Sequence, residues 1–173
     1  MELQYDLNIL RQLQNVGFRV TWRIVYIGLY GTDRFEPRLA VEDFFDFLKE
    51  NINETDVLFE DFVLLLSSEG DEHELKKTLF MLTEKEKSTY ELDIRKLRCL
   101  ELINIFARKN EEYLPTSIYD FWLSYNSLSS DEISETTALH LFINDQDKLC
   151  SDSMQWLENE IKNIISAENA LCF

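Results

Sequence analysis

Glycine and proline are nearly missing, with four and two residues in a chain of 173. Both residues punctuate chains, so their scarcity argues for helices with short joints and against a turn-rich architecture. Histidine is as scarce, at His73 and His140, and the three cysteines (Cys99, Cys150, Cys172) are odd in number. An odd count suits a reducing compartment, where buried thiols act as small hydrophobes. No cysteine pair has zinc-ligand spacing, and no glycine-rich phosphate loop is present, which excludes nucleotide chemistry of the P-loop or dinucleotide-fold kind. No apolar run reaches membrane-spanning length, and the N-terminus carries no basic-then-apolar signal. The chain is therefore expected to be made and kept in the cytoplasm.

Positive charge is also in short supply. Seventeen Lys and Arg face thirty-three Asp and Glu, a net charge of -16 with a pI near 4.4. Phosphates would be repelled, which argues against direct nucleic-acid binding. The same charge favours a basic partner and fast, salt-sensitive association. The chain is no disordered acidic tail, since 45% of it is hydrophobic and twelve residues are Phe.

What is present is helical patterning. Leu3, Leu7 and Leu10 repeat at helical steps until Gly17. Thr21 can cap a helix in which Trp22, Val25, Tyr26 and Leu29 share a face, and Pro37 suits the first turn of the next. There Val41, Phe44, Phe45 and Leu48 point one way and Glu42, Asp43, Asp46 and Glu50 the other. Residues 57–66 are apolar enough for a strand, but no second strand is near to pair with it, so a buried helix is predicted. Asp71-x-x-Glu74 opens a helix carrying Leu75, Leu79 and Leu82. Thr83-x-x-Glu86 reads as the capping box of a long post running to Asn110, apolar nearly all round from Cys99 to Ala107. Pro115 starts a helix with Ile118, Phe121, Trp122 and Tyr125 on one face. Ser129 or Ser130 caps a short piece ending near Phe142. A polar loop, Asn144–Asp147, precedes a last helix with Met154, Leu157, Ile161, Ile164 and Ile165 inward. The expected fold is an all-α, single-domain bundle of about seven to eight helices around a long central helix spanning about residues 84–109.

Chemical signatures are wanting. His73 among Glu72 and Glu74 reads as a solvated helix start. Asp145-x-Asp147 begins like a calcium loop, but Leu149 stands at the fifth position, Cys150 at the turn glycine and Trp156 at the closing Glu. Cys150 and His140 lack any supporting nucleophile signature. Glu42 and Asp46, one turn apart, lack an accompanying Glu-x-x-His. No metal, cofactor or catalytic residue is implied.

Charge is uneven. From Phe121 to Phe173 nine carboxylates face only Lys148 and Lys162. Trp156 is predicted to point away from the core stripe of the last helix, into a field of Asp152, Asn159, Glu160 and Asn163. An aromatic anchor ringed by charge is the pattern of a docking surface for a basic protein. The candidate partner-binding residues are Asp145, Asp147, Asp152, Trp156, Asn159, Glu160 and Asn163. A secondary candidate is the face Glu42, Asp43, Asp46 and Glu50, continued by Glu54, Asp56, Glu60 and Asp61, which lacks an obvious anchor.

Three stretches, Thr21-Trp22-Arg23-Ile24-Val25-Tyr26-Ile27-Gly28-Leu29, Ile94-Arg95-Lys96-Leu97 and Ile118-Tyr119-Asp120-Phe121-Trp122, resemble a bacterial family of small, uncharacterised, mostly helical proteins. Leu97 departs from the pattern, which would place Trp after the Arg-Lys pair. Acidic single-domain chains of this size also resemble the immunity proteins of bacterial polymorphic toxin and contact-dependent growth inhibition systems. That resemblance implies a non-catalytic protein that binds a cognate basic toxin domain, often a nuclease, and covers its active site or substrate surface. It leaves room for a further protein in a toxin complex, and implies no direct nucleic acid and no membrane. The alternatives are a helical adaptor or regulatory module and, third, a metal-dependent hydrolase built on the carboxylate helices.

Overall fold

The computed structural model describes residues 8–51, 59–108, 112–124 and 133–171. These form nine α-helices and no strand: α1 (Ile9–Val16), α2 (Trp22–Tyr30), α3 (Val41–Asn51), α4 (Phe59–Leu66), α5 (Glu72–Thr83), α6 (Tyr90–Ala107), α7 (Leu114–Ser124), α8 (Glu135–Asn144) and α9 (Gln146–Ala170). The protein is all-α. Its chain divides into two compact units, one running up to Leu97 and including residues 168–171, the other formed by Arg98–Ala167. The first turns of α6 and the end of α9 thus belong to the former unit, and their remainders to the latter.

In the N-terminal unit the joints are set by local chemistry. Asn8 caps α1 by accepting from the Leu10 amide at 3.0 Å, and Gly17 ends it in the left-handed conformation that glycine adopts without strain. Leu3 and Leu7 lie outside the described residues. Thr21 caps α2, its hydroxyl accepting from the Ile24 amide. Pro37 does not open α3. Residues 33–40 form a non-helical strap whose Arg38 and Leu39 amides both donate to the Gly28 carbonyl, at 2.8 and 2.9 Å, so α3 waits until Val41. On α3 the aromatic side turns inward as its spacing predicts, with Phe44, Phe45, Phe47 and Leu48 buried. α4 is helical, but it is no buried helix. Phe62 and Leu65 are buried, whereas Val63 and Leu64 reach solvent. α5 begins at the Asp71 cap and buries Leu75, Leu79 and Leu82 against α2 and α4.

The long post is shorter than its sequence suggests. Residues 84–89 are not helical, α6 starts at Tyr90, and Thr89 accepts from the Leu92 amide as its cap. Glu86, the second half of the expected capping box, turns to α2 instead. The longest of the described helices is α9.

In the C-terminal unit α7 packs on α8, with Tyr119 and Phe142 stacked at 4.7 Å and 12°. Ser134 caps α8; Ser129, Ser130 and Tyr125 lie outside the described residues. The predicted polar loop collapses to one residue, because Asp145 closes α8 and also opens α9, its carboxylate accepting from the Lys148 amide at 3.0 Å. Trp122 is fully buried and donates its indole N–H to Ser153 Oγ at 2.9 Å, fixing α7 against α9.

Candidate functional site

On α3 the carboxylates Glu42, Asp43, Asp46 and Glu50 share the exposed side, and Glu50 pairs with Arg11 at 2.7 Å. Every Phe and Leu of this helix is buried, so the one apolar side chain left partly exposed beside these charges is Val41 in its first turn. Glu60 is exposed and Asp61 half-buried on α4, while Glu54 and Asp56 lie outside the described residues.

On α9 the predicted face separates into two. Asp145, Asp147, Asn159 and Asn163 are exposed, but Asp152, Trp156 and Glu160 are half-buried. Trp156 sits on the shoulder of the buried stripe formed by Leu149, Ser153, Leu157, Ile161 and Ile164, not opposite it. It packs edge-on to Trp122 at 5.0 Å and 82°, lies 6.4 Å from the Phe121 ring, and has the Arg98 guanidinium 5.5 Å from its centroid. Periodicity located Trp156 on the helix but not the side chains of α6 and α7 that cover it. Of the acidic residues predicted for this face, those exposed are therefore Asp145 and Asp147, at the α8–α9 corner.

That corner carries an apolar element the sequence reading missed. α8 buries Ala138 and Leu141, yet Leu139 and Ile143, one turn apart and thus neighbours on its surface, are 43% and 68% exposed. The signal was available: α8 has more apolar positions than one buried stripe can use.

A second missed cluster is buried. Lys96, fully removed from solvent, lies 3.1 Å from Asp93 and 2.6 Å from Glu168, and donates to the Arg19 carbonyl at 3.2 Å. Asp93 also pairs with Arg23 at 3.1 Å and accepts from Ser88 at 2.9 Å. Glu168 accepts from the Arg19 amide. Two cations and two carboxylates make the cluster neutral, the condition under which buried charge is tolerated. Asp93-x-x-Lys96 was a readable i, i+3 pair, and Glu168 an acid on the stripe of Ile161 and Ile164.

Beside it Glu86 reaches the start of α2, accepting from the Trp22 amide and, at 3.1 Å, from the Arg23 amide. Burial pushes its carboxyl up to about 7, helped by nearby Asp93, and outweighs the two amide bonds and Arg23, which pull it down. A cavity of about 410 Å³ opens here, with Trp22, Glu86, Lys96 and Glu168 among its walls. A carboxyl near neutrality suits proton transfer. Both oxygens of Glu86, however, face amides, and the three protons of Lys96 have three acceptors, so these groups serve the fold.

Elsewhere, Cys99 is buried, and burial together with Asp147 raises the Cys150 thiol, which lowers its thiolate fraction and its power as a nucleophile. Among the described residues no three His, Cys, Asp or Glu side chains converge as metal ligands would, and no helix is long and apolar enough to cross a membrane. Compared with protein-family models, curated proteins and solved structures, the chain matches none.

Proposed function

We propose that this protein is an immunity-type inhibitor, a non-catalytic helical module acting in the cytoplasm that binds a basic toxin domain and covers its active site or substrate surface. The observation that carries the reading is the disposition of charge. In a chain of net charge -16, Asp145 and Asp147 on one unit, at the joint of α8 and α9, and Glu42, Asp43 and Asp46 on the other, along α3, project to solvent, while the carboxylates capable of buried chemistry are consumed by the fold. Rigid acidic surfaces of this kind occupy the places that phosphates would take on a basic nuclease. Long-range attraction speeds such an encounter, and apolar contact then governs dissociation.

The test is co-expression with the protein encoded beside it. The expected result is a stoichiometric basic partner, lethal when produced alone and harmless in company, whose association slows steeply as salt rises. A partner without toxicity would transfer the protein to the adaptor class, and an association indifferent to salt would remove the electrostatic mechanism.

A further inference from the structure

We propose that the outer face of α8 is the anchor of the docking surface: Leu139 and Ile143 receive an apolar side chain of a basic protein segment whose Lys or Arg residues reach Asp145 and Asp147. The proposal rests on the inhibitor reading and names where its partner lands.

Two observations on α8 support it. Ile143 is the most exposed of the large hydrophobic residues described, at 68%, and Leu139 stands one turn before it. α8 does not need them for its own packing, because Ala138 and Leu141 are already buried and Phe142 is stacked on Tyr119. Two branched aliphatic side chains kept in water on a well-capped helix are worth little to this fold and much to a contact that dehydrates them.

The corner is also fixed before any partner arrives. The Asp145 amide donates to the Leu141 carbonyl at 2.7 Å, and its carboxylate holds the Lys148 amide. The acidic end of the patch is thereby set relative to its apolar end, and a partner has little to order on this side.

Charge selects the occupant. In sequence, Lys148 is the one Lys or Arg between Phe121 and Ile161, where Asp145 and Asp147 lie, and the stretch to Phe173 holds nine carboxylates and two lysines. A second copy of the chain would bring another surface of the same net charge, -16, to these carboxylates. An anionic membrane surface or a nucleic acid would meet the same repulsion. A basic segment with one apolar side chain satisfies both ends of the patch.

The experiment selects a random-peptide phage library against the full chain at low salt, then measures the selected peptides against the exposed-surface variants Leu139→Ser, Ile143→Ser and Asp147→Asn. Circular dichroism and melting temperature verify that each variant keeps the fold. The expected peptides join Lys or Arg to an apolar residue, lose roughly tenfold or more in affinity to Ile143→Ser or Leu139→Ser, and lose less, in a salt-dependent way, to Asp147→Asn. Peptides without basic residues, or a library that enriches nothing, would overturn the proposal. Basic peptides indifferent to both serine variants but weakened by Glu42→Gln with Asp46→Asn would overturn it while leaving an acidic docking module intact. Toxin protection that survives Ile143→Ser in co-expressing cells would likewise remove the anchor and keep the inhibitor. A concentration-dependent dimer abolished by Ile143→Ser would give the face to a second copy.

Discussion

Lys96 Nζ lies 2.6 Å from a carboxylate oxygen of Glu168, and the two side chains are almost wholly hidden from water. Glu168 belongs to the last turn of α9, yet it sits in the N-terminal unit because of this bond and the Arg19 amide. Replacing Lys96 by Met keeps the aliphatic stem but removes the cation that lies against both Asp93 and Glu168, leaving Arg23 paired with Asp93. The expected cost is about 3–5 kcal/mol, read as a lower urea midpoint with unchanged slope. Adding Glu168→Gln to Lys96→Met removes one uncompensated charge and should recover part of that loss. A double variant no better than the single one would show that the cluster does not act as a neutral unit.

Glu86 gives the fold a pH dependence of unusual sign for a carboxylate. Its pKa rises from 4.5 in the unfolded chain to about 7 in the folded protein, because burial outweighs the amide bonds at α2. The folded state therefore holds this proton more tightly. The stabilising contribution is fully present below pH 4.5 and is lost as pH climbs through 7. Other carboxylates titrate over the same range, so the test is a difference. Wild type minus Glu86→Gln stability, from urea melts at half-unit intervals between pH 4.5 and 7.5, should fall by about 1–3 kcal/mol across the window. A flat difference would show that Glu86 titrates normally.

These two sites also mark how far the sequence could be read. Leu75, Leu79 and Leu82, the Asp71 cap and the inward aromatics of α3 stand as their spacing predicts, because helical periodicity and capping are local. Glu86 defeats the same logic. It matches a capping box with Thr83, but its carboxylate binds an amide 64 residues away, and no local rule reports that approach. The post accordingly begins at Tyr90 and not near residue 84. Trp156 fails for a related reason, since its place on a helix says nothing of Trp122 and Arg98 closing over it. Leu139 and Ile143 were visible as apolar residues but not as exposed ones, since exposure depends on which of two stripes the neighbouring helix takes.

Gly28 lies inside α2, where alanine would ordinarily favour the helix by about 1 kcal/mol. Here a Cβ would come within 2.9 Å of Ile9 Cδ1 and 3.1 Å of Leu39 Cβ, where the 33–40 strap is tied to the Gly28 carbonyl. The Ile9 methyl can swing aside, but Leu39 Cβ moves only with its backbone. Gly28→Ala should therefore lower stability by about 1–3 kcal/mol despite its better propensity. Hydrogen exchange should localise the loss to the Arg38 and Leu39 amides. A stabilised variant would mean that the strap yields.

Trp122 offers the sharpest test of how the C-terminal unit holds α9. Its ring is fully buried, its N–H is used by Ser153, and its edge-on contact orients Trp156. Trp122→Phe removes the donor and part of the ring, and should cost about 2–4 kcal/mol through the cavity and the orphaned Ser153 hydroxyl. Ser153→Ala leaves the indole N–H without its acceptor and should cost about 1–3 kcal/mol. Because both variants break the same bond, their effects should not add, and the double variant should be less destabilised than the sum of the singles. The emission of Trp156 should change in Trp122→Phe, as the ring against which it stands is altered. Strict additivity, with Trp156 emission unchanged, would mean that α7 and α9 are held by the surrounding apolar contacts alone.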